Sequence, residues 1–92
     1  MISIKQFRYF VEVVDAGSYS RAAEKLYIAQ SALSRQIKEL EGEVQAPLLT
    51  RDARHIELTP AGQVFYERAR RILEDIEETV RQTRHVGHGA PG

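Results

Sequence analysis

Apolar residues recur along this chain every three to four positions, interrupted by short polar breaks, a pattern that predicts helices joined by tight turns. Ile4, Phe7, Phe10, Val11 and Val14 form the first stripe, and Ser3 followed by Gln6 has the form of a capping box opening a helix near Ile4. Gly17 stands where that helix would end in the left-handed conformation. Ser18-Tyr19-Ser20 marks the next start, with Ser20 read as the cap, and a short helix follows through Arg21-Ala22-Ala23-Glu24-Lys25-Leu26. The paired alanines imply close approach of another helix. Tyr27-Ile28-Ala29 is a three-residue break, and a third helix opens at Gln30. At about 100° per residue it divides into two faces. Leu33, Ile37, Leu40 and Val44 turn inward, while Ser31, Ser34, Arg35 and Lys38 turn to solvent. The helix fades after Glu43-Val44, since Pro47 cannot continue it and restricts Ala46 as well.

Two short segments with partial alternation, one through Leu48-Leu49-Thr50-Arg51 and one through Ile56-Glu57-Leu58, flank a polar tip and read as a small hairpin. Thr59-Pro60 then starts a helix expected to run from about Ala61 to Arg84, roughly 36 Å at 1.5 Å per residue. Phe65, Ala69, Ile72, Leu73, Ile76 and Val80 make an apolar stripe along it. Only its first part can lie against the rest of the chain. The far part, with Ile72, Leu73, Ile76 and Val80, calls for a second copy, and the whole stripe is assigned to dimerisation. Mixed charges along this helix disfavour a membrane surface as the alternative. His85 to Gly92 reads as a flexible hinge or tail. The expected organisation is residues 1–58 as a winged helix-turn-helix, 59–84 as a linker and dimerisation helix, and 85–92 as the tail. The fold class is mostly α, with three helices and a small β-hairpin wing followed by a long dimerisation helix.

Composition narrows the classes of function. With 92 residues, 42% of them hydrophobic, the chain makes one small globular domain, or one with an appendage. It has no Cys, which excludes disulfides and thiolate metal sites. No run approaches the roughly 18 apolar residues that span a bilayer. The start, Met1-Ile2-Ser3-Ile4-Lys5-Gln6, lacks the layout of a secretory signal, so the expected location is cytoplasmic, at the nucleoid. An enzyme is not expected, because the three His all come late and no Gly-rich phosphate loop appears. His85 and His88, without a carboxylate or thiol beside them, make a poor metal site. No catalytic residue, metal or cofactor is assigned.

The net charge is zero, 13 Lys and Arg against 13 Asp and Glu, which at first counts against a nucleic-acid binder. The distribution matters more. Arg21, Lys25, Arg35 and Lys38 are opposed between positions 19 and 38 only by Glu24, and the acids collect later, at Glu39, Glu41, Glu43, Glu74, Asp75, Glu77 and Glu78. A short helix, a tight turn and a longer helix with a polar outward face form a helix-turn-helix, and the hairpin becomes its wing. The first helix, with Ser20 and Arg21 at its start, braces against phosphates. The second enters the major groove, where Arg reaches guanine edges and Ser or Gln meets bases or phosphates. Arg51, Arg54 and His55 in the wing are placed to reach the backbone or the minor groove. The competing reading is a winged helix used for protein–protein contact, its acid-free face docked on an acidic partner.

The residues Phe10-Val11-Glu12-Val13, Gly17 to Leu26, Gln30-Ser31-Ala32-Leu33-Ser34-Arg35-Gln36-Ile37, Leu40-Glu41, Leu48, Arg51 and Leu58-Thr59-Pro60-Ala61-Gly62 together closely resemble the N-terminal domain of the LysR-type transcriptional regulators. The resemblance covers nearly the whole chain, from Phe7 to about Arg84. It implies a bacterial transcription regulator that binds double-stranded DNA as a homodimer on an interrupted palindromic operator. It also implies a C-terminal domain beyond the hinge, where a small-molecule effector would bind. By position the DNA-facing places fall on Gln30, Ser31, Ala32, Ser34, Arg35 and Lys38, with Arg51 and Arg54 in the wing. Three positions depart from the family's pattern. Ala29 stands where a capping Ser is usual, Ser31 where Pro is common, and Gln45 where Gly usually follows the helix, which implies a different path into Pro47.

Overall fold

In a computed structural model of the chain, which describes residues 1–51 and 55–89, the elements run α1 (Ile4–Ala16), α2 (Tyr19–Leu26), α3 (Gln30–Val44), β1 (Leu49–Arg51), β2 (Ile56–Leu58) and α4 (Pro60–Gly87). Local signals set most of the helix ends. The capping box at α1 is complete, Gln6 N–H donating to Ser3 Oγ at 3.3 Å and Ser3 N–H to Gln6 Oε1 at 2.9 Å. Gly17 closes α1 at φ 70°, in the left-handed region. The cap of α2 is Ser18 rather than Ser20. Its hydroxyl accepts from Arg21 N–H at 3.2 Å, while Ser20, already inside the helix, only shares a hydrogen bond with Ser18 Oγ at 3.0 Å. Ser18 is the first extended residue after Gly17, so it meets the helix's free N–H groups first.

The core gathers Phe10, Val13, Ala22, Leu33, Ile37, Leu40 and Leu48, all 1% exposed or less. Each large one stabilises the fold by about 1.5–3 kcal/mol through burial. The buried face of α1 is Gln6, Phe10 and Val13, which keeps Phe10 of the expected stripe but replaces its other members at the centre. Ile4 is 54% exposed, and Phe7, Val11 and Val14 are half-buried. The reason is that α1 packs on α2, α3 and α4 at once, which widens and rotates the arc it buries.

The wing is an antiparallel pair in which Leu49 faces Leu58 and Arg51 faces Ile56. Thr59 caps α4: its hydroxyl accepts from Gly62 N–H at 2.9 Å and donates to the Pro47 carbonyl at 2.7 Å. Helix α4 has 28 residues, about 42 Å, and ends at Gly87 rather than Arg84. Residues 85–87, expected in the tail, continue it because nothing before Gly87 breaks the hydrogen-bond ladder. Its first half lies on α1. Phe65 stacks on Phe7 with ring centroids 5.2 Å apart and meets Phe10 edge-on at the same distance. Tyr66 donates to Asp15, and that hydrogen bond, with burial, raises the phenol above its ordinary pKa.

Candidate nucleic-acid interface

Helix α3 is fixed from behind. Leu33, Ile37 and Leu40 are 0–1% exposed on its inner side, so the backbone that carries the outer residues cannot roll. On the outer side Gln30, Ser31, Arg35 and Lys38 are exposed, while Ala32 and Ser34 are half-buried. Ser31, Ser34, Arg35 and Lys38 are spaced three and four apart, which brings them onto one strip of the helix. Among the described residues neither Arg35 nor Lys38 has an ion-pair partner, so both cations stand ready for an external anion.

Two of the acids that follow the strip on α3 are engaged elsewhere. Glu41 turns inward, its carboxylate accepting from Leu48 N–H at 2.8 Å and Leu49 N–H at 3.3 Å, which ties α3 to β1. Glu43 meets the terminal ammonium of Met1 at 3.3 Å. Lys25, counted above with the basic cluster, is held by Glu12 of α1 at 3.4 Å and is withdrawn from it. Ser20 and Arg21 are exposed at the start of α2, and no ion pair holds Arg21 among the described residues. The backbone of Arg51 ends β1, and its side chain, like all of Arg54, lies outside the described residues. His55 is exposed and bonds Glu57 Oε1 at 3.0 Å.

The first turn of α3 carries no side-chain cap. Ala29 has the extended geometry of a cap residue, φ −70° and ψ 142°, and its carbonyl accepts from Leu33 N–H at 3.1 Å, but it has no side-chain oxygen to accept from the first turn. Ala29→Ser should therefore raise unfolding stability by about 1 kcal/mol in chemical denaturation, with the denaturant slope unchanged. At the other end Gln45 enters the left-handed region itself, φ 57° and ψ 40°, where Gly is the easier residue.

The stripe on α4 divides. Phe65 packs on the core, Ala69 is fully buried and Leu73 is 8% exposed, so these three already have partners within the chain. For Leu73 this corrects the expectation of a bare side chain, because α1 extends far enough to cover it. Ile72, 39% exposed, Ile76 and Val80, 42% exposed, remain as a shallow apolar depression edged by Asp75 and Thr79. Glu78 and Arg81 pair with each other farther along; the hydrogen bond from Arg81, then that from Gln82, lowers the Glu78 carboxyl pKa.

Sequence reasoning missed Glu41 and the Asp15–Tyr66 pair. The latter joins residues 51 apart, and no local pattern announces it. Among the described residues there is no cluster of His, Asp or Glu that could hold a metal, and no helix is long and apolar enough to cross a membrane.

Three packed helices, the third bearing a cationic strip without an ion-pair partner among the described residues, and a two-stranded wing define a winged helix-turn-helix. Residues 4–63 match the family described as bacterial regulatory helix-turn-helix protein, lysR family, and the chain belongs to that family. It is 48% identical over 86 residues to the probable cat1 operon transcriptional activator of Acinetobacter lwoffii, covering 94% of this chain and 28% of that relative. It is 42% identical over 91 residues to the nitrogen assimilation regulatory protein nac of Escherichia coli, covering 99% of this chain and 30% of that protein. The chain thus spans less than a third of either. Among solved structures, the BenM DBD/catB site 1 DNA complex superposes with a TM-score of 0.93 at 41% identity, over 96% of this chain and 99% of that one. The CbnR DBD–DNA complex gives 0.88 at 38% identity, over 94% and 99%.

Proposed function

We propose that this chain is the DNA-reading part of a LysR-type transcriptional regulator and binds double-stranded DNA sequence-specifically as a homodimer. Residues 1–58 would read the duplex and residues 59–84 would hold two copies together. The observation that carries the reading is the outward strip of α3: two cations without an ion-pair partner among the described residues, and two hydroxyls, on a helix locked from behind, with Glu41 and Glu43 engaged elsewhere. Arg35 reads a base, Gln30, Ser31 and Ser34 share base and phosphate contacts, and Lys38, Arg51 and Arg54 serve the phosphates. The similar structures solved with DNA favour this over a protein-docking winged helix.

Two copies paired antiparallel through Ile72, Ile76 and Val80 would cover the apolar depression on α4. They would set two reading heads at a fixed separation, which matches an interrupted palindrome whose half-sites lie on one side of the duplex. The test is a titration of random-sequence duplex at low salt, run beside sedimentation of the free chain. Nanomolar to micromolar binding and a dimer mass are expected. Ile76→Glu should leave a folded monomer that binds duplex at least tenfold more weakly. Absence of any duplex binding at low salt would remove the proposal, and a monomeric parent chain would remove its dimer.

A further inference from the structure

The charged side chains of α4 divide by face. Arg70 pairs with Glu74 at 3.8 Å, Arg81 pairs with Glu77 and Glu78, and Glu67 accepts from Gln63 at 3.1 Å. At about 100° per residue these groups share one side of the helix. Arg68, Arg71 and Asp75 fall on an exposed strip between that side and the apolar depression, and Asp75 edges the depression itself. Their side chains have no partner among the described residues. Arg71 and Asp75 are four residues apart, the spacing of an ion pair within a helix, but with the base first, which is the weaker order. The apolar seam beside them can be covered at little cost. Thr79 and Thr83 continue it past Ile76 and donate their hydroxyls to the carbonyls of Asp75 and Thr79, each at 2.7 Å, so burying them leaves no donor unmet.

The strip is complementary to itself. In an antiparallel pair related by a two-fold axis each flank of the seam meets the same flank of the other copy, whereas in a parallel pair it meets the opposite one. The opposite flank of α4 carries Ala69 and Leu73, both buried within the chain, and the apolar Val80. A parallel pair would therefore leave Arg71 and Asp75 without a counter-charge. An antiparallel pair sets the strip against itself. A two-fold axis level with Leu73 brings Arg71 of each copy opposite Asp75 of the other, and that level is close to the middle of α4, which runs Pro60–Gly87. We propose that Arg71 and Asp75 form two reciprocal ion pairs across a second copy of this chain, and that these pairs select the antiparallel orientation of the α4 helices and fix its register. This rests on the dimer proposed above. It names the charged residues that orient that dimer, where the apolar stripe alone would pair either way round.

The test measures self-association of the parent chain, of Arg71→Glu and of Asp75→Lys by sedimentation, and follows an equimolar mixture of the two variants by native mass spectrometry. Each variant alone should dissociate about tenfold more readily than the parent, since two attractions become two repulsions. Mixed, the two should form a one-to-one pair about as tight as the parent dimer, because both cross-helix pairs are then again of opposite charge. Recovery on mixing also shows that neither variant has unfolded. High salt should narrow the gap between the mixed pair and the self pairs. A variant that self-associates as tightly as the parent, or a mixture with no preference for the mixed pair, overturns the assignment while leaving the dimer intact. A parent chain that stays monomeric removes the dimer and these pairs together, and leaves the DNA-binding reading of α3 untouched.

Discussion

Arg35→Ala should weaken binding to a duplex selected by the parent chain from a random-sequence pool by about 1–3 kcal/mol and flatten the preference for it over scrambled sequence. The magnitude follows from what the guanidinium does on either side of binding. In the free chain it is exposed and has no ion-pair partner among the described residues, so removing it exposes no orphaned carboxylate. Its loss should change unfolding stability by no more than about 0.5 kcal/mol, and the binding deficit can then be read as a lost contact rather than a lost fold. Lys38, one turn on, supplies the comparison. Lys38→Ala should weaken both duplexes alike and reduce the salt slope by about one unit, because an ammonium on a phosphate releases a counterion and reads no base. Equal losses on selected and scrambled duplex for Arg35→Ala would remove its role as the reader.

The features that were legible in the sequence are those decided within a single helical turn. Ser3 with Gln6, Gly17, and Thr59 with Pro60 act on N–H or carbonyl groups three or four residues away, so their signal is local and survives folding. The outward strip of α3 was legible for the same reason, since helical periodicity alone places Ser31, Ser34, Arg35 and Lys38 together. Apart from the choice of Ser18 over Ser20 as a cap and the last turn of α4, what escaped depends on several partners at once. Which arc of α1 is buried is settled jointly by α2, α3 and α4, and Ile4 loses that competition while Gln6 wins it. Which face of α4 is covered depends on where α1 lies against it: Leu73 turns toward Arg8, Val11 and Glu12 and is enclosed, while Ile72, about 100° around the helix, is not. Glu41 is one acid in a run of three, and only the approach of the chain after Pro47 gives it Leu48 and Leu49 to hold.

The seating of α4 on the reading domain depends on Gly62, and Gly62→Ala should cost about 3 kcal/mol of unfolding stability. In most helices the same change is favourable by up to about 1 kcal/mol, because alanine is the better helix former. Gly42 is such a case: a Cβ there meets nothing within 4 Å, so Gly42→Ala should stabilise the chain by about that amount. At Gly62 a Cβ would lie 1.9 Å from the Leu48 carbonyl oxygen and 2.9 Å from its carbon, both of them backbone atoms that cannot rotate aside. Relief would require α4 to lift off the strand. That would break the Thr59 N–H bond to the Leu48 carbonyl at 3.0 Å and the Thr59 hydroxyl bond to the Pro47 carbonyl at 2.7 Å. The steric term therefore outweighs propensity, and the two glycine variants should shift the denaturation midpoint in opposite directions. A Gly62→Ala chain as stable as the parent would mean that α4 is not pressed onto Leu48. If α4 can lift, the apolar depression at Ile72, Ile76 and Val80 is no longer set at a fixed angle to α3. On the proposed pairing, a Gly62→Ala chain that still folds at low temperature should then pair as before but lose its preference for one half-site spacing, because this seat, and not the α4 pairing alone, would set that spacing.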